Sequence, residues 1–264
     1  MPESNVRPLA GRVAVITGAS RRIGIGAAIA RALAARGADL FLTYYRPYDA
    51  EMPWGSAPDD VDYVVGELRA AGARVAHGEY DLSQPDVAPA IFDAAEAALG
   101  PVHILVNNAT VSFMGAVDTL TAADLDRHYA VNVRGMALLS AELVRRFAGH
   151  SGGRPSGRII NLTSGQGVGA MPDEIAYVTT KGAVEAFTVS AAPTAMRRGI
   201  TVNAIDPGIT DTGWISDEQR AAWAASSPAG RVGQPEDAAR LAAFLASDEA
   251  AWITGQVIHS RGGL

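Results

Sequence analysis

The chain of 264 residues has a formal net charge of −6, no cysteine, 48% apolar residues and 19% charged residues. This composition is that of a folded globular protein, and the length fits one large α/β domain or two small ones. It excludes disulfides, thiolate catalysis and cysteine-ligated metals, and the acidic balance offers no basic surface to nucleic acid or anionic lipid. The histidines lack metal-ligand spacing, and no apolar run reaches the length of a membrane span. We therefore expect a cytoplasmic protein that acts on a small molecule, without metal, nucleic acid or membrane.

The first predicted unit is a strand, a glycine-containing turn and a helix. Residues 12–17 form a β-branched run that predicts a buried strand, and residues 27–36 predict a helix closed by Gly37. A turn of this kind lets the backbone approach a pyrophosphate at the helix N-terminus. A tight turn without a ligand is the alternative. The candidate phosphate contacts in the turn are Gly18, Ser20, Gly24, Ile25 and Gly26.

The second predicted strand, 39–44, bears on the choice of cofactor. In a dinucleotide-binding sheet an acid at the end of this strand binds the ribose 2′-hydroxyl of NAD. Here no acid follows before Asp49, and arginine suits the geometry of a 2′-phosphate. We therefore predict that NADP(H) is preferred and that NAD(H) is possible; solvated surface arginines are the alternative. The candidate contacts are Tyr44, Arg21, Arg22 and Arg46.

The segment 47–59 carries three prolines, which predicts a loop longer than a βα connection needs. It either folds over the adenine end of the cofactor or is a surface excursion. A second loop is predicted at 149–157, which is rich in Gly, Ser and Pro.

Strands and helices alternate along the rest of the chain, which predicts a single domain with a doubly wound, mainly parallel sheet. Ligands of such sheets lie beyond the carboxyl ends of the strands, where Asp81, Asn107 and Ala109 fall. The later predicted strands are 74–80, 103–106, 158–163, 200–205 and 256–259, and the later predicted helices are 61–71, 85–99, 122–148, 175–198 and 236–246.

Two residues are unusual in the interior of a predicted helix. Asn132 lies between two valines in 122–148, either as a satisfied core amide or as a functional group. Pro193 should kink or break the helix 175–198. Beyond the sixth strand, the segment 210–232 carries Trp214 and is a candidate substrate lid.

Tyr177 and Lys181 are four residues apart in a predicted helix, so both side chains can point into one site. A free phenol has a pKa near ~10, and a cation about 4 Å away contributes roughly 4 kcal/mol, enough to lower that pKa by about three units. Such a phenol would be an effective general acid–base. Ser164, at the end of the fifth strand, would then hold the oxygen of a carbonyl substrate. An ordinary helix surface is the alternative.

Several spaced motifs follow one another along the chain: the glycine turn after the first strand, Asn107-Asn108-Ala109, Asn132, Ser164, Tyr177-x-x-x-Lys181 and Pro207-Gly208. In this order they resemble the short-chain dehydrogenase/reductase family over nearly the whole chain, from about residue 12 to residue 263. The resemblance implies a Rossmann-like α/β sheet of seven strands with helices on both faces, one domain over 1–264 with an N-terminal tail at 1–11, and a homotetramer.

The resemblance also implies a catalytic tetrad. Tyr177 would be the general acid–base, and Ser164 would orient the substrate oxygen. Lys181 would lower the tyrosine pKa and hold the nicotinamide ribose, and Asn132 would position a water in a proton relay. Asp81 would contact adenine. The other implied residues around the cofactor, besides Tyr177 and Lys181, are Leu82, Asn108, Ala109, Ile205, Pro207, Gly208, Ile209, Thr210 and Thr212.

Three features depart from the family pattern. The glycine turn is two residues longer than usual and contains Arg21 and Arg22. Thr110 replaces a common glycine, which would reshape the floor of the pocket. Pro193 stands in a helix that commonly packs against its equivalent in a homotetramer.

Residues 231–236 and 252–256 resemble the branch of 3-oxoacyl-thioester reductases. We therefore expect NADPH-dependent reduction of a ketone or 3-oxoacyl thioester to a secondary alcohol. The alternatives are an NAD-linked sugar or cyclic alcohol dehydrogenase and a non-catalytic dinucleotide-sensing module. The candidate substrate contacts, each of which can equally be core or lid packing, are Thr110, Val111, Gln166, Met171, Ile175 and Trp214.

Overall fold

A computed structural model of the chain describes residues 7–149 and 156–263. Seven strands form one sheet in the order β3-β2-β1-β4-β5-β6-β7, and every neighbouring pair is parallel. The doubly wound parallel sheet is thus confirmed. The strands are β1 (Val13–Ile16), β2 (Asp39–Tyr44), β3 (Val75–Glu79), β4 (Val102–Asn107), β5 (Gly157–Leu162), β6 (Ile200–Asp206) and β7 (Val257–His259).

Helices cover both faces of the sheet because successive side chains of a strand point to opposite sides. The helices are α1 (Ile25–Ala34), α2 (Arg46–Glu51), α3 (Asp60–Ala70), α4 (Val87–Leu99), α5 (Ala122–Tyr129), α6 (Met136–Arg146), α7 (Ile175–Arg197), α8 (Asp217–Ser226) and α9 (Pro235–Ala246). On β1, Ile16 belongs to a core built with α1, α3 and α9, whereas Val15 belongs to a second core built with α4, α6 and the end of α7.

The predicted helix 122–148 is interrupted in the structure. A π-helical turn, Ala130–Gly135, separates α5 from α6, and α6 ends at Arg146. At Gly135 an added Cβ would lie 2.7 Å from the carbonyl oxygen of Leu82, so the chains approach too closely there for a larger residue. The extra residue of the π-turn changes which side chains face the sheet.

The prediction that Pro193 breaks its helix is wrong, because α7 continues through it to Arg197. Pro193 and Val189, whose carbonyl would be its partner four residues earlier, are both exposed. Solvent can therefore satisfy the carbonyl group that the proline leaves without a donor. The prediction of a loop over 47–59 is also wrong in part, because α2 begins at Arg46 and has Pro47 in its first turn, where a proline needs no hydrogen-bond partner.

Only part of the predicted N-terminal tail lies in the described residues, and Leu9 anchors that part to the domain. Leu9 is fully buried, and its N–H donates to Arg36 O at 2.9 Å. The rest of the tail and most of the predicted loop 149–157 lie outside the described residues. Within the residues that are described, no helix has the length and apolar content needed to cross a membrane.

Candidate active site

The carboxyl ends of the strands open into a cleft of about 1460 Å³. This volume exceeds the ~300–1,000 Å³ of a pocket for one drug-sized ligand. Most of the predicted site residues line it: Gly18, Ser20, Arg21, Gly24, Ile25, Tyr44, Asp81, Leu82, Asn108, Ala109, Thr110, Val111, Ser164, Met171, Tyr177, Pro207, Gly208, Ile209, Thr210, Thr212 and Trp214. The predicted residues that lie outside its lining are Arg22, Gly26, Arg46, Asn107, Asn132, Gln166, Ile175, Lys181 and Ile205.

Tyr177 and Ser164 meet at the edge of the cleft. Tyr177 lies in the first turn of α7, and Ser164 follows β5 in extended backbone. The Ser164 side chain lies close enough to the Tyr177 hydroxyl group to affect its pKa. Burial raises the pKa of Tyr177 strongly, and the adjacent Ser164 side chain opposes that rise only in part. The phenol therefore remains protonated throughout the neutral range.

Lys181 lies beneath Tyr177 and is almost fully buried. Its Nζ donates to Leu162 O at 2.9 Å and is 5.3 Å from the centroid of the tyrosine ring. Burial lowers the pKa of Lys181 to about 8. The predicted lowering of the tyrosine pKa by the lysine is not what the structure shows. The ammonium faces the ring and a backbone carbonyl, and burial of the phenol dominates.

Asn132 is a satisfied core amide in this structure. Its Oδ1 accepts from Val111 N at 2.7 Å, and its Nδ2 donates to Val111 O at 2.8 Å and to Thr180 Oγ1 at 3.0 Å. The π-turn delivers this side chain to the segment after β4. Asn132 thereby fixes the backbone of Val111, a wall of the cleft, and ties it to α7, which carries Tyr177.

The first βα unit has the features of an anion site. The helix α1 begins after Gly24, no described side chain caps it, and its first turn holds no acid. Its first N–H groups and positive dipole end therefore remain available to a phosphate. At Gly18, where φ is +71°, an added Cβ would lie 2.7 Å from the Cα of Ala109. Asn108 Nδ2 donates to Gly18 O at 3.0 Å and links this turn to β4.

The three predicted phosphate-binding arginines have different surroundings. Arg22 pairs with Asp60 at 2.5 Å and Asp59 at 2.9 Å and stacks on a tyrosine ring. Arg46 pairs with Glu79 at 2.5 Å. Arg21 lines the cleft, where its guanidinium donates to Thr212 O and lies 4.5 Å from the centre of the Trp54 ring.

Glu79 is an acid near the cofactor end of the cleft that sequence reasoning missed. The register of β2 and β3 pairs it with Tyr44, and it accepts from Arg46 N at 3.0 Å. Parallel pairing of the second and third strands was the signal that could have found it, because the last residues of neighbouring parallel strands lie side by side.

The segment around α2 extends across the cleft. The sequence alone left open whether this segment covers the site or is a surface excursion. The Tyr48 hydroxyl accepts from Ser112 N at 3.1 Å, and the Tyr48 ring packs edge-on against Phe113 with centroids 5.8 Å apart. Glu51 forms a salt bridge with Arg127 at 2.5 Å. These contacts join the end of β2 to the segment after β4 and to α5.

Two of the predicted substrate contacts lie outside the lining of the cleft. Gln166 Nε2 donates to Glu185 Oε1 at 2.5 Å and lies near Thr163, so its amide is held against α7. Ile175 takes part in backbone pairing with Gly115 at the start of α7. In contrast, Trp214 lines the cleft, and its ring centroid lies 5.6 Å from that of Trp223 on α8.

A protein-family model described as enoyl-(acyl carrier protein) reductase matches residues 18–264. The chain is also 45% identical to the uncharacterized oxidoreductase YjdA of Bacillus subtilis, with 96% of each chain covered. The chain belongs to the short-chain dehydrogenase/reductase family. It is therefore an oxidoreductase of this family.

Two further comparisons concern relatives with named activities. The chain is 39% identical to the NADPH-dependent aldehyde reductase-like protein of Arabidopsis thaliana chloroplasts, covering 97% of this chain and 95% of the relative. It also resembles the solved structure of LugOII, titled as a promiscuous reductase that catalyses keto-reduction in lugdunomycin biosynthesis. The TM-score is 0.84, with 36% identity, 97% of this chain and 98% of that chain covered.

Proposed function

We propose that this oxidoreductase uses NADPH to reduce a ketone or 3-oxoacyl thioester to a secondary alcohol, with Tyr177 as the general acid. The observation that carries the proposal is the adjacent placement of the Tyr177 and Ser164 hydroxyl groups at the edge of a cleft large enough for a dinucleotide and a substrate. The names of the aldehyde reductase-like relative and of LugOII support reduction of a carbonyl group.

In this mechanism the two hydroxyl groups receive the carbonyl oxygen. Ser164 orients it by a hydrogen bond, and Tyr177 gives it a proton as negative charge develops. The phenol of Tyr177 is protonated at neutral pH and therefore has a proton to donate. Lys181, with a pKa of about 8, carries a positive charge at neutral pH that offsets the charge left on the phenol. The bound nicotinamide supplies the hydride.

The start of α1 fits the pyrophosphate of the cofactor, and Arg21 in the turn before α1 and Arg46 after β2 favour NADPH. Arg21 already lines the cleft. Arg46 forms a partly exposed salt bridge with Glu79 and lies over the Tyr44 ring. Exchange of such a salt bridge for a 2′-phosphate costs at most about 1 kcal/mol. We infer that Arg21 and Arg46 bind the 2′-phosphate when NADPH enters.

Fluorescence titration of NADPH and NADH tests this choice of cofactor. We expect NADPH to bind at least about tenfold more tightly, because a charge-assisted hydrogen bond contributes roughly 1.5–3 kcal/mol, and Arg46→Ala should reduce that preference. The matched control is Arg74→Ala, which removes an arginine paired with Asp39 at the opposite end of β2. Equal affinity for the two cofactors would instead support the NAD-linked alternative.

A substrate panel tests the reaction itself. NADPH oxidation should be measured with a short 3-oxoacyl thioester, simple ketones and diketones, and an enoyl thioester. Turnover of carbonyl compounds alone supports the proposal, whereas turnover of the enoyl thioester alone would indicate reduction of a C=C bond. Oxidation only of sugars or cyclic alcohols with NAD⁺ would support the dehydrogenase alternative. Cofactor binding without any turnover would support a sensing module.

Two structural proposals accompany this function. We propose that residues 210–232 act as a substrate lid, since Trp214 and Trp223 both line the cleft. Hydrogen exchange in α8 should slow when cofactor and ketone are bound together. We also propose a homotetramer, which light scattering would test; the exposed apolar side chains of Val189 on α7 and of Trp252 are compatible with a protein interface.

A further inference from the structure

Glu174 faces the same cleft as Tyr177 but has no part in the proposed proton transfer. It precedes Tyr177 by three residues at the start of α7 and lines the cleft. Glu174 is the N-cap residue of α7, with φ −133° and ψ 40°, so its side chain leaves the chain just ahead of the helical turn that carries Tyr177. The backbone around it is fixed, since Gly115 N donates to Asp173 O at 2.6 Å and Ile175 N donates to Gly115 O at 3.0 Å.

The Glu174 carboxyl has polar neighbours but no cationic partner. It is half-buried, and the Ser112 side chain lies close enough to affect its pKa. Among residues 7–149 and 156–263, no arginine, lysine or histidine forms a salt bridge with it. Burial raises the pKa of Glu174, the nearby Ser112 side chain opposes this rise, and the neighbouring Asp173 adds to it.

The same residue influences Tyr177 and shares a wall with Tyr48. The Glu174 charge raises the pKa of Tyr177, which helps to keep that phenol protonated. The Ser112 N–H donates to the Tyr48 hydroxyl group at 3.1 Å, and Ser112 also lies near the Glu174 carboxyl group. Glu174, Ser112 and Tyr48 all line the cleft that Tyr177 and Ser164 line, and they form a polar part of its wall.

We propose that Glu174 is a specificity-determining residue. It binds a hydroxyl group that the substrate carries about two to four atoms from the reacting carbonyl. It also disfavours substrates that carry a carboxylate at that position. The inference rests on the proposed carbonyl reduction. A carboxylate that lacks a cationic partner is a strong acceptor for a hydroxyl group, and it repels a second carboxylate in a partly desolvated site.

The test compares three ketones on one four-carbon frame: butanone, its analogue with a terminal hydroxyl group, and acetoacetate. We expect the wild type to favour the hydroxyl compound over butanone about tenfold or more in kcat/KM, because a hydrogen bond to a charged group contributes that much. Glu174→Leu should bring this ratio to near one. Glu174→Gln keeps an acceptor and removes the charge, so it should raise the acetoacetate-to-butanone ratio severalfold.

Asp173→Asn is the matched control, because it removes the adjacent acid, which is exposed and lies outside the lining of the cleft. It should leave both substrate ratios at their wild-type values. Urea unfolding of each variant verifies that the protein is folded. The inference would be overturned if kcat/KM for the hydroxyl compound and for butanone were nearly equal in wild type. It would also be overturned if the preference for the hydroxyl compound were unchanged in Glu174→Leu.

A binding measurement separates this inference from the proposed function. Dissociation constants for the three ketones can be measured by saturation-transfer NMR with Tyr177→Phe and with its combination with Glu174→Leu, both with NADPH present. If no protein reduces any ketone, the proposed function fails. Even then, tighter binding of the hydroxyl compound than of butanone, lost with Glu174→Leu, would support Glu174 as the binding site of the hydroxyl group. Equal binding of the two compounds would contradict this role of Glu174.

Discussion

Replacement of Asn132 by leucine should destabilise the protein and displace one wall of the cleft. The change removes all three hydrogen bonds of a buried amide while keeping a branched side chain with the same number of heavy atoms. Val111 is only 6% exposed, so its N–H and C=O would lose their partners without gaining water. Each unsatisfied buried group costs roughly 1–3 kcal/mol. We therefore expect the free energy of unfolding to fall by about 3 kcal/mol, within the roughly 2–6 kcal/mol that two such groups allow.

Urea unfolding of Asn132→Leu, Thr180→Val and the double variant measures this effect. Thr180→Val removes one of the three hydrogen bonds, so its loss should be only about 1 kcal/mol, and the two changes should not be additive. Activity should fall together with stability, because Val111 moves. A stability change of Asn132→Leu below about 0.5 kcal/mol would refute the structural role. If activity were nevertheless lost, Asn132 would act in the chemistry instead.

Three further predictions concern stability. Burial lowers the pKa of Lys181 to about 8, below its unfolded value of ~10.4. Between these two pH values the unfolded chain binds more protons than the folded one, so the free energy of unfolding must rise with pH there. Urea unfolding at several pH values should show this rise in wild type and not in Lys181→Met, and a rise that persists in Lys181→Met would assign the proton to another group. Asp248→Ala should lower the free energy of unfolding by about 1–2 kcal/mol, because the fully buried Arg158 pairs with this partly exposed carboxylate at 3.2 Å. An unchanged free energy of unfolding, measured with urea, would contradict this. Pro193→Ala should raise the free energy of unfolding by about 1–2 kcal/mol, since the better helix propensity of alanine outweighs the gain in entropy of the unfolded chain. A lower Tm of this variant would refute the expectation.

The sheet and most of its helices could be predicted because local sequence determines them. The second strand has the predicted bounds, Asp39–Tyr44, since its apolar and β-branched run stops shortly before Arg46 and Pro47, which begin α2. The helix that carries Tyr177 was also predicted to within one residue of its end at Arg197. Parallel strands between helices then place the strand ends at one edge of the sheet, so the position of the cleft followed as well.

The contacts that determine chemistry could not be predicted in the same way. The amide of Asn132 is satisfied by Val111, which lies in another segment, and only the three-dimensional fold shows this. Glu79 approaches Arg46 through the register of two strands. The pKa of Tyr177 depends on how deeply the phenol is buried, which an estimate from the spacing to Lys181 leaves out.

The most direct test of the account is NADPH consumption by wild type and Tyr177→Phe with a ketone that the wild type reduces, accompanied by the Kd for NADPH. Loss of a general acid should lower kcat/KM about 10²- to 10⁴-fold while NADPH still binds. Tyr129→Phe, an exposed tyrosine at the mouth of the same cleft, should retain nearly all activity. Turnover by Tyr177→Phe equal to that of wild type would contradict the central assignment.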